Sequence, residues 1–359
     1  MVKALVTRGA GQVLAVEDIE LPAPGPDQVR VRVRAAGVCH SDLSMANGTL
    51  TAPFPLVLGH EAAGIVTEVG TDVSDVAAGD HVVLNWSPAC RTCWFCTRGE
   101  PWLCETGGTP AAQRGTTADG TPLHVTLGLG ALAEEVVVPA HAVIRIPADV
   151  PLEESALLGC AVLTGVGAVR NTARVQAGDA VLVIGLGGVG LSVVTAARAA
   201  GADPVIAVDL TSAKQDLALS AGATHFLESD DTLSRSVRKL TDGRGVDHAF
   251  ECVGRSATIR AAWRGTRRGG QVVVVGMGAK DDMLSLSALD IFSSARTLRS
   301  SVYGSADPDV EVPQLAASVV DGSLDLSPLV THRITLAEAP AAFERMARGE
   351  GARSLVVFD

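Results

Sequence analysis

The sequence predicts an α/β fold with two domains, one containing a doubly wound parallel sheet and the other built mainly of β-strands. The chain has 359 residues, which is more than one ordinary compact core accommodates. Its first part consists of short, Val-rich, partly alternating segments separated by turn residues. From about Leu152, continuous apolar strands alternate with helical segments, a pattern typical of a parallel sheet covered on both faces.

The first part of the chain is predicted to be rich in β-strands. Turns containing Gly, Pro and Asp separate these segments. The stretch from Thr106 to Thr126 lacks clear periodicity, is rich in Gly, Thr, Ala and Pro, and is predicted to be a long surface loop. The predicted strands are VKALVTR, QVRVRVRAAGV, AAGIVTEVG, DHVVLN and LAEEVVVPAHAVIRIP.

The second part is predicted to alternate between strands and helices. The segment LEESALLGCAVLTGVGAV can form a helix, although its Gly residues weaken helix formation. The predicted strands are AVLVIG, PVIAVD, VDHAFECVG, GGQVVVVGM and, at the end, RSLVVF. The predicted helices cover residues 188–200, about 213–221, about 309–321 and about 336–348.

Composition and charge exclude several classes of function. The formal net charge of −11 argues against binding to a phosphate backbone, and no basic run is interleaved with aromatic residues, so no nucleic-acid partner is expected. The N-terminus lacks the layout of a signal peptide, and no apolar run reaches membrane-spanning length. We therefore expect a cytoplasmic protein without a membrane partner, in a compartment where clustered cysteines are metal ligands or catalytic groups more often than disulfides.

A dinucleotide fingerprint follows the strand AVLVIG. Gly185, Gly187 and Gly190 form a G-x-G-x-x-G pattern that opens a helix, and the next apolar strand ends on Asp209. These glycines permit the tight turn, the approach of a pyrophosphate and close helix–strand packing. Asp209 can accept hydrogen bonds from both ribose hydroxyls and would repel a 2′-phosphate, which predicts a Rossmann domain that binds NAD rather than NADP. Lys214 could also reach the ribose.

Four cysteines lie close together in the segment NWSPACRTCWFCTRGEPWLCET. Four thiolates in one short loop suit tetrahedral zinc, and a closed tetrathiolate leaves no position for substrate, so a structural role is predicted. A 4Fe–4S cluster is the alternative, but Glu105 replaces the Pro that usually follows the last cysteine of a ferredoxin-type motif. The cysteines are Cys90, Cys93, Cys96 and Cys104.

A second possible metal site is scattered along the chain. Cys39, His60 and Cys160 would supply two thiolates and one imidazole, which is a catalytic zinc pattern with a fourth position open. Spacing alone does not show that the three converge. Cys252, in an apolar strand, is interpreted as a core residue.

These pieces, in this order, resemble the zinc-dependent medium-chain alcohol dehydrogenases over essentially the whole chain. The matching segments are GVCHSD, GHEAAGIVTEVG, the four-cysteine loop, GCAVLTG, GLGGVG with Asp209, and RSLVVF. The resemblance implies a GroES-like, mainly β catalytic domain at about 1–162 and 300–359, with a structural zinc lobe at about 85–106. It implies a Rossmann NAD-binding domain at about 163–299.

The resemblance also implies roles for individual residues. Cys39, His60 and Cys160 match the catalytic zinc ligands, and Glu61 matches an acid that can transiently join them. Asp42 matches the carboxylate that orients the ligand histidine, and Ser41 matches the hydroxyl that takes the substrate proton. Matches to coenzyme contacts, besides the fingerprint glycines, Asp209 and Lys214, are His40, Thr164, Gly188, Val189 and Arg353. Matches to the substrate pocket are Leu50, Trp86, Met277 and Val302.

The resemblance implies a homodimeric or homotetrameric enzyme with two zinc ions per chain, which transfers a hydride between NAD and a primary, possibly aromatic, alcohol or aldehyde. The sequence GCAVLTGVGAV is most similar to bacterial members acting on primary or aromatic alcohols. One departure is Ser44, where well-known members carry a His, so the proton is expected to leave through water or His40. The alternatives are a thiol-dependent formaldehyde dehydrogenase, which shares a long loop at 106–126, and a non-catalytic protein that binds NAD and zinc.

Overall fold

The structure is a computed structural model that describes residues 1–108 and 113–359, except for the side chain of Gln113. It divides into two compact units. Unit 1 comprises Met1–Leu163 and Asp307–Asp359, and unit 2 comprises Thr164–Ala306. The functions assigned to the domains from the sequence stay predictions.

The strands of unit 1 occur in its two segments, and the strands of unit 2 follow one another along the chain. The strands of unit 1 are β1 (Val2–Thr7), β2 (Leu14–Glu20), β3 (Gln28–Gly37), β4 (Leu56–Val57), β5 (Ala62–Val69), β6 (His81–Leu84), β7 (Gln113–Thr117), β8 (Pro122–Val125), β9 (Glu135–Pro139), β10 (Val143–Arg145), β17 (Val330–Ile334) and β18 (Arg353–Val357). The strands of unit 2 are β11 (Val181–Ile184), β12 (Val205–Asp209), β13 (His225–Glu228), β14 (Val246–Glu251), β15 (Thr266–Val274) and β16 (Thr297–Ser300).

Both units contain short and longer helices, and the longest described helix is α10 of unit 1. The α-helices are α1 (His40–Ala46), α2 (Trp94–Thr97), α3 (Leu152–Ser155), α4 (Ala161–Gly167), α5 (Gly188–Ala199), α6 (Gln215–Ser220), α7 (Leu233–Lys239), α8 (Ser256–Gly265), α9 (Ala288–Ser294), α10 (Pro308–Val320) and α11 (Ala339–Ala347). Other helical turns are Pro101–Leu103, Thr126–Gly128, Ala140–Ala142, Ala156–Gly159, Ala168–Ala173, Ser212–Lys214, Tyr303–Ser305, Ser327–Leu329 and Leu336–Glu338.

Unit 1 is built around strand β3. Its Val29, Val31 and Val33 are fully buried, because alternate side chains of a strand point to the same face. Strand β3 pairs antiparallel with β5, β9 and β18, and the sheet continues in the order β10-β6-β5-β3-β18-β17. Strands β1, β2, β7, β8 and β4 form a closed barrel. The predicted mainly β architecture is confirmed.

Unit 2 is a parallel sheet with helices between its strands. Within residues 164–306 the strand order is β13-β12-β11-β14-β15-β16, and every pairing is parallel. Its core is aliphatic, with Leu182, Ile206 and Val272 fully buried. From β11 the chain first adds strands on one side of the sheet, β12 and β13, and then on the other side, beginning with β14. In an open parallel sheet a ligand is expected at this point. The predicted doubly wound fold is confirmed.

Two local predictions are wrong. The stretch 106–126 contains β7 and β8, which pair antiparallel, and its residues 109–112 lie outside the described part of the chain. Strand β7 pairs with β2, and strand β8 pairs with β4. These pairings stabilise two polar strands whose local sequence does not indicate a strand. The continuous helix predicted from Leu152 is interrupted at Cys160, whose φ of −147° and ψ of −78° are not helical.

In the part of the chain that the structure describes, we find no single helix long and apolar enough to cross a membrane. The segments Leu152–Gly159 and Ala161–Ala173 reach that length only as a pair, and the break between them bends by 54°.

Candidate active site

Three residues from distant parts of the chain form a buried cluster in unit 1. Cys39 precedes α1, His60 precedes β5, and Cys160 occupies the break before α4. One donor atom from each lies within 4.8 Å of the others, and the Sγ of Cys160 is 3.4 Å from Nε2 of His60. The convergence that sequence spacing could not show is therefore present in the structure.

Asp42 lies next to the His60 ring. Its Oδ2 lies 3.1 Å from Nδ1 of His60, and both side chains are buried. Its Oδ1 accepts the N–H of Gly59 at 2.8 Å. A carboxylate at this position favours the tautomer with the proton on Nδ1, which leaves the Nε2 lone pair for a metal ion. The distance is compatible with the orienting role that the resemblance implies for Asp42, and that role stays a prediction.

A buried ion pair lies next to the cluster. Arg353 Nε is 3.1 Å from Oε2 of Glu61, and its Nη1 donates to the carbonyl of Val38 at 3.0 Å. The other oxygen of Glu61 accepts the N–H of Ala161 at 2.8 Å. Burial raises the pKa of Glu61 to about 7, although the Arg353 charge acts against this shift. The pair joins β5 and β18 to the residue following Cys160.

Sequence reasoning missed this pair. Glu61 and Arg353 lie near opposite ends of the chain, and no local pattern connects them. Arg353 was predicted to contact the coenzyme pyrophosphate, whereas the structure pairs it with Glu61. Its contact with coenzyme stays a prediction.

The donor set of this cluster fits zinc. Two thiols and one imidazole are ligands that zinc prefers, and three protein ligands leave a fourth position for substrate. A hydrogen bond from Cys160 holds the pKa of the Cys39 thiol well below its usual value, and the charges of Arg353 and His60 add to this effect. Cys39 is thus disposed to be a thiolate, the form that binds metal.

Several predicted substrate and proton-transfer residues lie in the same unit. Ser41 Oγ is 4.0 Å from Sγ of Cys39, and His40 is exposed. The indole of Trp86 meets the His60 ring edge-on, with 6.5 Å between ring centroids. Leu50 is half-buried. Met277 and Val302 are exposed residues of unit 2, and their place in a substrate pocket stays a prediction.

The four-cysteine loop forms a second candidate metal site. The sulfur atoms of its cysteines lie within 4.8 Å of one another. The N–H of Cys93 donates to Sγ of Cys90, and the N–H of Cys90 donates to Sγ of Cys104, both at 3.2 Å. Hydrogen bonds from Thr92 and from the Cys93 backbone lower the pKa of Cys90 to about 5. Four thiols this close together fit a closed zinc site, in which all four ligands come from the protein.

The turn after β11 can admit a dinucleotide because its glycines leave the necessary space. Gly185 has φ +91°, a region that favours glycine. A Cβ on Gly190 would lie 1.8 Å from the carbonyl oxygen of Gly185, so only glycine allows helix α5 to pack this closely. A Cβ on Gly187 would meet nothing within 4 Å, and the first turn of α5 begins there. The free N–H groups at this helix start suit a phosphate.

Asp209 ends β12 next to this turn. Its carboxylate accepts the N–H groups of Leu186 at 2.9 Å and of Leu210 at 2.8 Å. The Nζ of Lys214, a buried residue, is 3.3 Å from Oδ2 of Asp209, which is half-buried. Asp209 and Lys214, each predicted to reach the ribose, are therefore neighbours.

The remaining predicted coenzyme residues of unit 2 belong to two helices. Thr164 is buried in α4, and Val189 is half-buried in the first turn of α5, next to the buried Gly188. Their contacts with coenzyme stay predictions.

Glu251 is a supporting residue that sequence reasoning overlooked. It ends β14, is fully buried, and accepts the N–H groups of Val253 and Gly254 at 2.9 Å. A Cβ on Gly185 would touch Val253, so Glu251 holds the segment that borders the glycine turn. The signal available in sequence was a carboxylate at the end of an apolar strand.

Comparison with known proteins supports the same class of molecule. Residues 25–148 match the alcohol dehydrogenase GroES-like domain, and residues 188–320 match the zinc-binding dehydrogenase domain. A curated relative is the S-(hydroxymethyl)glutathione dehydrogenase of Paracoccus denitrificans, 34% identical over 99% of each protein.

Solved structures agree with this relationship. An alcohol dehydrogenase zinc-binding domain protein from Burkholderia ambifaria is 34% identical, with a TM-score of 0.92 over 100% of this chain and 99% of that one. Benzyl alcohol dehydrogenase from Acinetobacter calcoaceticus is 27% identical, with a TM-score of 0.91 over the same shares.

The fold and the two cysteine sites define a zinc-containing oxidoreductase that uses a nicotinamide dinucleotide. The chain belongs to the zinc-dependent medium-chain alcohol dehydrogenase family. This confirms the family, the fold class and the cofactors predicted from sequence.

Replacing Asp42 with Asn should weaken zinc binding at the Cys39–His60–Cys160 cluster by about 10- to 100-fold, because the His60 ring loses the carboxylate that orients it. Competition with a chromogenic chelator measures this affinity. Asp18→Asn, at an exposed surface pair with Lys3, is the matched control. Equal zinc affinity in Asp42→Asn and the wild-type protein would contradict the assigned role.

Proposed function

We propose that this protein oxidises primary alcohols, aromatic ones among them, to aldehydes with NAD as the hydride acceptor, and that it catalyses the reverse reduction. The observation that carries this proposal is the buried Cys39–His60–Cys160 cluster, which has the ligands of a catalytic zinc site. The likeness to a benzyl alcohol dehydrogenase over the whole chain supports an aromatic substrate.

The residues around the cluster have distinct tasks in this proposal. Zinc, when bound, supplies a Lewis acid that makes the alcohol proton easier to remove. Ser41 accepts that proton and passes it to water or to the exposed His40. Trp86, edge-on to His60, narrows the space available to the substrate. Asp42 keeps the ligand histidine in its tautomer.

The coenzyme preference follows from Asp209. Its carboxylate is fixed by two backbone N–H groups and Lys214, so it cannot swing away to admit a second negative charge. The Asp209 carboxylate would repel the 2′-phosphate of NADP and would accept hydrogen bonds from the two ribose hydroxyls of NAD. We propose that NAD binds at the Gly185–Gly190 turn and uses this carboxylate.

A second candidate function is oxidation of a thiol adduct of formaldehyde, which the name of the Paracoccus relative favours. A thiol carrier with carboxylates would need a cationic anchor. The arginine that could serve as this anchor in the described part of the 106–126 stretch is Arg114. It lines a small cavity in the barrel with Ile19 and Val57. Burial lowers the pKa of its guanidinium. This placement favours simple alcohols over a carboxylated thiol carrier.

The test combines one variant with a substrate panel. Cys39→Ser should abolish NADH formation from benzyl alcohol and from short aliphatic alcohols, because the ligand set is broken, while NAD still binds in calorimetry. Cys252→Ser is the matched control and should retain turnover, because Cys252 lies outside both clusters. Full activity of Cys39→Ser would overturn the assignment. Turnover only with formaldehyde plus glutathione would establish the thiol-adduct reaction instead.

We further propose a homodimer formed through the outer edge of the unit 2 sheet, in a cytoplasmic enzyme. Strand β16 pairs with β15 on one side only among the strands of residues 164–306, and all its residues are exposed. Exposed apolar side chains occur close by in sequence, including Leu298 in the strand and Phe292, which is 86% exposed. An open edge with apolar neighbours favours pairing with the same edge of a second copy.

Sedimentation tests this assembly. Wild-type protein should sediment as a dimer, and Phe292→Asp with Leu298→Lys should lower its mass to that of a monomer. Val13→Lys, at another exposed apolar residue, should not change the mass. A monomeric wild-type protein, or a double variant that still dimerises, would contradict the proposed interface.

A further inference from the structure

Arg91 lies within the four-cysteine lobe in a backbone conformation that an arginine rarely adopts. Its φ is +62°, in the left-handed region that glycine enters freely and residues with a Cβ avoid. A glycine at this position would make the same turn between Cys90 and Cys93 at lower cost. A strained residue of this kind indicates that its side chain has a task.

The side chain makes a bidentate contact outside the lobe. Nη1 and Nη2 of Arg91 donate to the two carboxylate oxygens of Asp307 at 2.6 and 2.7 Å, and Nη2 also donates to Asp309. Asp307 is the N-cap residue of α10, and its side chain accepts the N–H of Asp309. The guanidinium is thus fastened to the first turn of α10 by charge-assisted hydrogen bonds.

Helix α10 begins at the Arg91–Asp307 contact and packs against the segment that precedes Cys160. The buried face of α10, including Val312 and Leu315, packs in unit 1, where the helix contacts β10 and the turn Ala156–Gly159. That turn is also tight on its other side, since a Cβ on Gly159 would lie 2.6 Å from the carbonyl oxygen of Leu84. Cys160 follows directly. Its position therefore depends on a turn held between β6 and α10.

We propose that Arg91 is a positioning residue that couples the four-cysteine lobe to the Cys39–His60–Cys160 site, through Asp307, helix α10 and the turn Ala156–Gly159. The four-cysteine site then has a second task besides holding its own loop. It anchors the guanidinium that keeps α10, and with it Cys160, in place. This inference rests on the proposed role of Cys160 as a metal ligand.

Four variants separate the contributions of charge, geometry and backbone. Arg91→Gly removes the side chain and the backbone strain together, and Arg91→Gln removes the charge and the guanidinium fork but keeps a polar side chain on the same backbone. Arg91→Lys keeps the charge and loses the bidentate fork. Asp307→Asn keeps a good N-cap residue and loses the Arg91–Asp307 ion pair, while the contact between Arg91 and Asp309 stays. Arg98→Gln is the matched control, because Arg98 lies in the same lobe and stacks on Trp94.

The experiment uses the zinc-loaded full chain and follows two signals. Hydrogen exchange by mass spectrometry reports on residues 156–162, and chelator-driven zinc release reports on each metal site. Arg91→Gly, Arg91→Gln and Asp307→Asn should each speed exchange at 156–162 and zinc loss from the Cys39 site by about two- to fivefold, the effect of a half-exposed ion pair. Arg91→Lys should restore part of the loss, and Arg98→Gln should match wild type.

The double variant Arg91→Gln/Asp307→Asn should lose no more than Arg91→Gln alone, because Arg91→Gln already removes the contacts with both Asp307 and Asp309. Unchanged exchange at 156–162 in all Arg91 variants, or zinc loss confined to the four-cysteine site, would overturn the proposed coupling. A wild-type protein that holds no zinc at the Cys39 site would instead refute the proposed function.

Discussion

The structure of unit 1 depends on pairing ionisable groups that are removed from water. Glu61 and Arg353 are both buried, and so are Asp42 and His60. A buried charge without a partner is strongly destabilising, so the sheet must bring these partners together. Strands β5 and β18 do so through their common neighbour β3. The residues of the Cys39–His60–Cys160 cluster take their positions from this arrangement, because His60 precedes Glu61 and Ala161 follows Cys160.

The two cysteine sites differ in the number of coordination positions that they would leave open on a zinc ion. The four-cysteine loop supplies every ligand that tetrahedral zinc accepts, from one short stretch of chain, so its metal has no place for substrate. The Cys39–His60–Cys160 cluster supplies three ligands from three distant elements and leaves one position free. The dense group of cysteines is therefore the less suitable site for catalysis. The number of ligands favours the Cys39–His60–Cys160 cluster instead.

Sequence was sufficient where local chemistry determines structure. The glycine turn ending at Gly190 follows a buried strand and is required sterically, so both the parallel sheet and the dinucleotide site could be predicted. Sequence was insufficient where partners are distant. The β7–β8 hairpin is stabilised by pairing with β2 and β4, and Glu61 meets Arg353 only after the sheet has formed. The helix break at Cys160 follows Gly159, and the turn before it contacts β6 and α10, so local sequence showed a weak helix but not the position of the break.

The most direct test of this account is zinc X-ray absorption spectroscopy on the purified protein, together with metal quantification. Two zinc ions per chain are predicted, with a first shell dominated by sulfur at about 2.3 Å and a minor nitrogen contribution at about 2.0–2.1 Å. The nitrogen belongs to His60 and should disappear in His60→Ala with the loss of one zinc. A single zinc per chain with an all-sulfur shell, or iron in its place, would contradict the account.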